Sequence, residues 1–285
     1  MQEFTTLTYA VDDRLARITL NRPERLNAIN RAMPGEIEAA VAEANRDDRV
    51  HVIVLRGAGR AFCAGYDLDW GTRVEHEAQG RAHGVWDPVR DLRSMGANVR
   101  AYMSLWDSAK PVVAGIHGFC VGGGTDLVLC ADQIIAADDV RFGYPPSRVW
   151  GTPTTALWVF RVGLERAKRL LLTGDAIDGK SAAAIGLVGK SVPAAELDRE
   201  VDALARRMAL LPANQLVMLK LLVNQAFENM GLRTTQLVGT MLDGAARHTP
   251  EGIAWRDLAM EVGYRQAVHR RDAPFGDYGE EKRKP

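Results

Sequence analysis

Residues 14–21 (RLARITLN) place Ala16, Ile18 and Leu20 on one face and Arg17, Thr19 and Asn21 on the other. That two-residue period predicts a strand, and Asn21-Arg22-Pro23 ends it. Pro34 opens a stretch in which Ile37, Ala40, Val41 and Ala44 recur at helical spacing. The continuous apolar run HVIVL at residues 51–55 follows, the pattern of a strand covered on both faces in a parallel sheet. The alternation continues with a helix over residues 88–106, a strand at 111–116 (PVVAGI), a helix entered through Gly122-Gly123-Gly124, and a strand at 133–137. From residue 181 the pattern turns helical, with helices predicted at 194–210, 214–229, 234–247 and 251–268. The chain therefore reads as an α/β core over residues 1–195, a helical C-terminal domain over 196–269 and a charged tail over 270–285. The tail is expected to be mobile or held by a partner.

Composition narrows the function. Lys plus Arg number 36 and Asp plus Glu 36, with 47% hydrophobic and 25% charged residues, ordinary for a globular protein. Zero net charge supplies no long-range field for a polyanion, so nucleic acid is not an expected partner. No run reaches the ~20 apolar residues of a membrane span, and residues 1–10 lack a basic start followed by an apolar run. Cys63, Cys120 and Cys130 cannot all pair and lack Cys-x-x-Cys spacing, which predicts a reducing, cytoplasmic setting and no zinc site. Residues 71–103 hold Glu75, His76, Glu77 and His83; two histidines make a weak metal set, and the segment reads as a mobile, substrate-shaping loop.

Two glycine-bearing loops carry the candidate chemistry. GAGRAFCAGYDL (57–68) follows one buried strand and GFCVGGGTD (118–126) follows another. The first fails as a dinucleotide fingerprint because Phe62 stands where a third Gly or Ala is needed, and the second lacks the Gly-Lys-Ser/Thr of a phosphate loop. Each alone reads as close packing of helix on strand. Together, two loops that aim main-chain N–H groups into one cleft are what an oxyanion hole requires, and Gly123 would add a helix N-terminus.

ITLNRPERLNAIN (18–30), AFCAGYDL (61–68), HGFCVGGGTDLVLCAD (117–132), FGYPPSRVWGTP (142–153) and LLTGDAIDGKSAAAIGLV (171–188) together resemble the enoyl-CoA hydratase/isomerase, or crotonase, family, in order and over nearly the whole chain. The resemblance implies a spiral of ββα units with a C-terminal helical oligomerisation domain, a homotrimer or homohexamer, and an acyl-CoA thioester as substrate, with no cofactor beyond that coenzyme A. The family's oxyanion amides fall on Tyr66 and Gly123. Its adenine and phosphate contacts fall near Arg25, Leu26 and Ala28, and Asp67 and Leu68 line its pantetheine tunnel; Ala64, Gly122, Tyr144, Pro146 and Trp150, in the same motifs, are further substrate-binding candidates.

The family's best-known hydratases carry two glutamates. The first falls on Asp126, a shorter carboxylate; the second falls on Pro146, or on Ser147 when counted back from Gly151, and neither is a carboxylate. Asp126 is thus the expected acid/base group, provided that burial raises its pKa. Tyr144 and Asp69 are weaker candidates, and His117 reads as structural. Trp70, Trp86, Trp106, Trp150 and Trp158 would favour a bulky or ring-bearing acyl group if several face the pocket. Arg270, Arg271, Lys282 and Lys284 are candidates for reaching the phosphates of a neighbour's coenzyme A. A lyase of the hydratase type is the leading expectation. A double-bond isomerase, a non-catalytic acyl-CoA binder and a hydrolase are the alternatives.

Overall fold

The structure, a computed structural model, describes residues 3–68, 81–82 and 85–278. Six strands form the main sheet: β1 (Leu7–Asp12), β2 (Leu15–Leu20), β3 (Val52–Gly57), β6 (Val112–Ile116), β8 (Gln133–Ala137) and β10 (Lys190–Val192), in that spatial order, while β4 (Arg81–Ala82) and β5 (Val85–Trp86) pair apart from it as a short antiparallel ribbon. β1 is antiparallel to β2, and the remaining neighbours are parallel. The alternation of side chains explains the apolar run at 51–55. Ile53 and Leu55 pack on one face with Ile37, Ala40 and Ala44 of α1 (Met33–Arg46). Val52 and Val54 pack on the other with Val201, Ala205 and Ala209 of the helix Leu197–Ala209. A fully buried Ile, Leu or Val contributes about 1.5–3 kcal/mol, so both faces of this strand drive the fold.

Each turn of the chain then feeds a second, smaller layer. β6 leads into β7 (Phe119–Val121) and β8 into β9 (Arg141–Gly143), and β7 and β9 pair in parallel. Isolated bridges Cys63↔Cys120 and Phe142↔Ile177 extend this layer on either side. The repeated path from large sheet to small layer to helix is the expected spiral, and it brings the loops after β3 and β7 side by side.

Several expectations need correction. The run at 251–268 is not one helix; it is Pro250–Val262 and Tyr264–Asp272, broken at Gly263 with φ 82 and ψ 146. The helix expected over 88–106 is present as Pro88–Asp107, started by the Asp87 side chain, which accepts from the N–H groups of Val89 and Arg90, so the loop expected over 71–103 does not extend past residue 87. The strand Leu7–Asp12 and the helix Leu157–Thr173 were not anticipated. As far as Tyr278 the tail is held by its own chain. Buried Arg148 pairs with Asp272 at 3.1 Å and with Asp277 at 2.6 Å, and its guanidinium lies 3.9 Å from the Phe275 ring centroid. Arg271 is likewise engaged, by Asp272 at 2.7 Å. Among the described residues no helix is long and apolar enough to cross a membrane.

Candidate active site

The loop after β3 is tied down from both sides. Phe62 N–H donates to His117 O and Cys63 N–H to Phe119 O, both at 2.9 Å, while Ala64 N–H donates to Leu26 O at 3.0 Å. Ile29 N–H reaches Gly65 O and Asp67 N–H reaches Ile29 O. The second loop is fixed by Val121 N–H to Cys63 O and Gly122 N–H to Gly143 O, each 3.1 Å. Within this network Tyr66 N–H and Gly123 N–H donate to no protein group among the described residues, although Asp67, Gly122 and Thr125 beside them all do. The two amides are close neighbours. A Cβ built on Gly65, whose φ is +90°, would lie 3.5 Å from Gly123 N, and one on Gly123 would lie 2.8 Å from the Tyr66 ring.

Gly123 opens the short helix Gly123–Val128, and Asp126 in its first turn is fully buried. Its carboxylate accepts from Thr154 Oγ1 at 3.2 Å, Thr155 N–H at 3.1 Å and Thr155 Oγ1 at 2.9 Å. Burial raises its pKa to about 7; the Thr155 and Thr154 hydrogen bonds oppose the rise, and repulsion from Asp243 adds to it. A carboxyl poised near neutrality can both give and take a proton. Tyr66 Oη accepts from Tyr102 Oη at 3.1 Å beside Met95, so the side chain of Tyr66 packs and its main chain carries the free donor.

Pro146 abuts the second glycine loop. A Cβ on Gly122 would meet its ring at 3.3 Å. It belongs to the short 3-10 turn Pro145–Arg148, which Ser147 closes by donating from Oγ to Tyr144 O. Tyr144 is buried and donates from its hydroxyl to Thr152 O at 2.7 Å, a packing and hydrogen-bonding position. His117 contacts Gly59 O through Nε2 at 2.9 Å and is structural.

The first segment expected to meet coenzyme A is a tight turn. Leu26 and Asn27 both adopt left-handed φ, 51° and 54°. Asn27, overlooked in the sequence, holds the turn: its side chain donates to Ala58 O and Ala61 O at 2.8 Å and accepts from Arg22 N–H. An Asn ahead of a loop, a residue type that tolerates left-handed φ, was the available signal. Arg25 pairs with Asp67 at 3.1 Å and Arg22 pairs with it at 2.9 Å, beside buried Ala28. Asp67 thus ties this turn to the first glycine loop, and although burial pushes its carboxyl up, the two guanidiniums hold it below the usual range. Leu68 and Trp150 share an apolar wall with Trp255, whose ring centroid lies 4.5 Å from that of Trp150.

The tryptophans separate. Trp158 and Trp106 fill core against Phe142 and Phe227, so they do not argue for a bulky acyl group. Trp86 stacks on His248 at 4.7 Å. Asp69, Trp70, Glu75, His76, Glu77, His83, Lys282 and Lys284 lie outside the described residues. Among the described residues no three His, Cys, Asp or Glu side chains gather as a metal site, and the three cysteines are buried and unpaired.

The chain is an α/β spiral in which two glycine loops hold neighbouring free amides, the second of them at the start of the short helix that carries a buried carboxyl. The model of the enoyl-CoA hydratase/isomerase family matches residues 11–253, and the chain belongs to that family. It is 33% identical over 227 residues to crotonyl-CoA hydratase of Syntrophomonas wolfei, covering 78% of this chain and 81% of that one. An enoyl-CoA hydratase structure from Mycobacterium smegmatis matches with TM-score 0.92 at 49% identity, covering 97% of this chain and 96% of that chain. An enoyl-CoA hydratase/isomerase structure from Xanthobacter autotrophicus matches with TM-score 0.85 at 33% identity, covering 96% and 99%. The fold is therefore the crotonase fold.

Proposed function

We propose that the protein is a hydratase acting on a 2-enoyl-CoA thioester. The observation that carries the reading is the pair of free amides, Tyr66 N–H and Gly123 N–H, beside a buried Asp126 held near pKa 7. The amides receive the thioester oxygen and stabilise the enolate that forms as water adds to the β-carbon. Neutral Asp126 returns a proton to the α-carbon. The turn around Arg25, Leu26 and Ala28 receives the adenine and phosphates, while Ala64, Asp67, Leu68, Gly122, Tyr144, Pro146 and Trp150 line the path of the pantetheine and acyl chain. No cofactor beyond the substrate's coenzyme A is required. The domain division lies at about residue 195, and Asp243 and Trp255 of the C-terminal helices pack against residues of this site.

The test is mass spectrometry of the protein incubated with 2-enoyl-CoA and 3-enoyl-CoA thioesters of short, long and ring-bearing chains. A product heavier by one water is expected from the 2-enoyl series. A product of unchanged mass with a shifted double bond would replace this reading with an isomerase that uses Asp126 alone. Binding without any product would replace it with an acyl-CoA binder.

The reading includes a homotrimer or homohexamer in a reducing cytoplasm, the latter favoured by three free thiols. Leu221, Leu222 and Val223 on the helix Ala213–Asn229, and Leu237, Val238, Met241 and Leu242 on Leu232–Ala246, are all exposed on the single chain. Apolar surface on that scale is expected to be covered in solution. Light scattering should give three or six times the 31.2 kDa chain mass, and Leu222→Arg should lower it; a monomeric wild type would refute the assembly.

A further inference from the structure

Asp243 lies on the helix Leu232–Ala246 and is buried. The hydratase reading uses it only through its repulsion of Asp126, yet the fold carries it to the same small space that Pro146 occupies. Gly151 is the landmark: a Cβ there would lie 2.8 Å from Pro146 Cβ, 3.6 Å from Asp243 Oδ1 and 3.6 Å from Tyr144 Oη. Pro146 in turn abuts Gly122, which precedes the free amide of Gly123. Asp243 and Asp126 also grip one short segment from its two ends. Asp243 Oδ1 accepts from Thr152 N–H at 3.4 Å, and Asp126 Oδ1 accepts from Thr155 N–H at 3.1 Å. Thr152 Oγ1 closes the link by donating to Gly239 O, one turn before Asp243 on its helix.

We propose that Asp243 is the second acid/base carboxylate of this site, supplied by the C-terminal helix in place of a side chain at Pro146, and that it takes the proton of the attacking water. The proposal rests on the hydratase reading and deepens it. Water oxygen bonds to the β-carbon, the π electrons move onto the thioester oxygen between the two amides, and the water proton passes to the Asp243 carboxylate. As the enolate collapses, the α-carbon takes the Asp126 proton. The proton then returns from Asp243 to Asp126 within the site, across which the two carboxyls feel each other, and the net change is the addition of one water.

The surroundings suit that role. Arg247 pairs with Asp243 one turn along the helix and also with Asp91 at 2.7 Å, and Trp86 Nε1 donates to Asp91. The groups felt by Asp243 are therefore Arg247 and Asp91, with Asp126, Tyr66 and Tyr144 across the space. Burial pushes the Asp243 carboxyl up and Arg247 pulls it back. Two carboxylates share one guanidinium, so Asp243 is not fully neutralised by its partner.

The experiment compares two reactions in the same preparation: hydration of a 2-enoyl-CoA, and exchange of the α-protons of the matching saturated acyl-CoA in deuterium oxide. Exchange requires only Asp126 and the amides. Asp243→Asn is expected to lower hydration at least 100-fold and leave exchange within about threefold, in the range attributed to single acid/base groups. Adding Pro146→Glu to that variant should restore hydration at least tenfold. Should Asp243→Asn fail to fold, Asp243→Glu keeps the charge against Arg247; moving the carboxylate by one methylene should cost hydration at least tenfold with exchange unchanged. Unaltered hydration in the folded variants, or hydration and exchange falling together, would overturn the assignment. A wild type that exchanges α-protons yet hydrates no thioester would instead remove the hydratase reading and the proposal with it.

Discussion

Asp126→Asn is expected to lower turnover of a 2-enoyl-CoA by about 10³-fold, within the range of general acid/base catalysis, and to raise the melting temperature at pH 8. Both effects have one cause. The carboxyl is sealed from solvent, and its folded pKa stands at about 7 against 3.8 in the open chain. Between those values the folded protein binds a proton that the unfolded chain has released, so this group's contribution to stability is complete below pH 3.8 and is lost as pH rises through about 7. At 1.36 kcal/mol per pH unit, the penalty carried above pH 7 is on the order of 4 kcal/mol. Asparagine removes it while keeping an oxygen for Thr155 N–H, and the Thr154 hydroxyl can turn to accept from the new amide. The gain should disappear near pH 4, and the KM for the thioester should change far less than kcat. Calorimetry at pH 8 and pH 5 beside steady-state kinetics checks both halves; unchanged turnover would remove Asp126 from the chemistry.

Much of the fold is written in short-range patterns. Ala16, Ile18 and Leu20 state a strand because their period is local, and Ile37, Ala40, Val41 and Ala44 state a helix for the same reason. The break at Gly263 is different. Apolar residues recur on both sides of it, and an isolated glycine within a helical pattern is a weak stop signal. The tail misled for want of its partner, since Arg148 lies 129 residues from Asp277 and no local pattern announces the pairing. The site divides along the same line. Its glycine loops are legible because tight turns restrict residue type, and Asp126 is legible through the family resemblance, which puts a carboxylate at that place after Gly123. What tunes Asp126 is not, because Thr154 and Thr155 arrive from 28 and 29 residues away and Asp243 from another lobe. Asp243 and Arg247 at i and i+4 read as an ordinary exposed helix pair, and only their burial against Asp91 and Gly151 gives them weight. The place left by a glutamate could be read at Pro146; what stands near that place could not.

Gly65→Ala is expected to reduce kcat by about 10²- to 10³-fold, the cost of losing one oxyanion donor, with a much smaller effect on acyl-CoA affinity. Gly65 sits at φ +90°, a conformation that costs an L side chain about 1–3 kcal/mol. Its added Cβ would also press to 3.0 Å from Val121 O and 3.5 Å from Gly123 N. Relief requires the chain at Gly65 to turn, and the group that turns with it is the Tyr66 N–H. The same Cβ projects toward the second amide, so the thioester oxygen meets one donor misdirected and the other crowded. Strain alone does not produce this result, and Gly231 supplies the comparison. It has the same φ of +90°, but no atom lies within 4 Å of its would-be Cβ. Gly231→Ala should therefore lose stability as Gly65→Ala does while keeping kcat within about twofold, because it shares the strain and none of the donors. Thermal melts and single-turnover hydration on both variants separate the two costs. If both lose stability alike and both keep kcat, the paired amides of Tyr66 and Gly123 do not hold the thioester oxygen in the transition state.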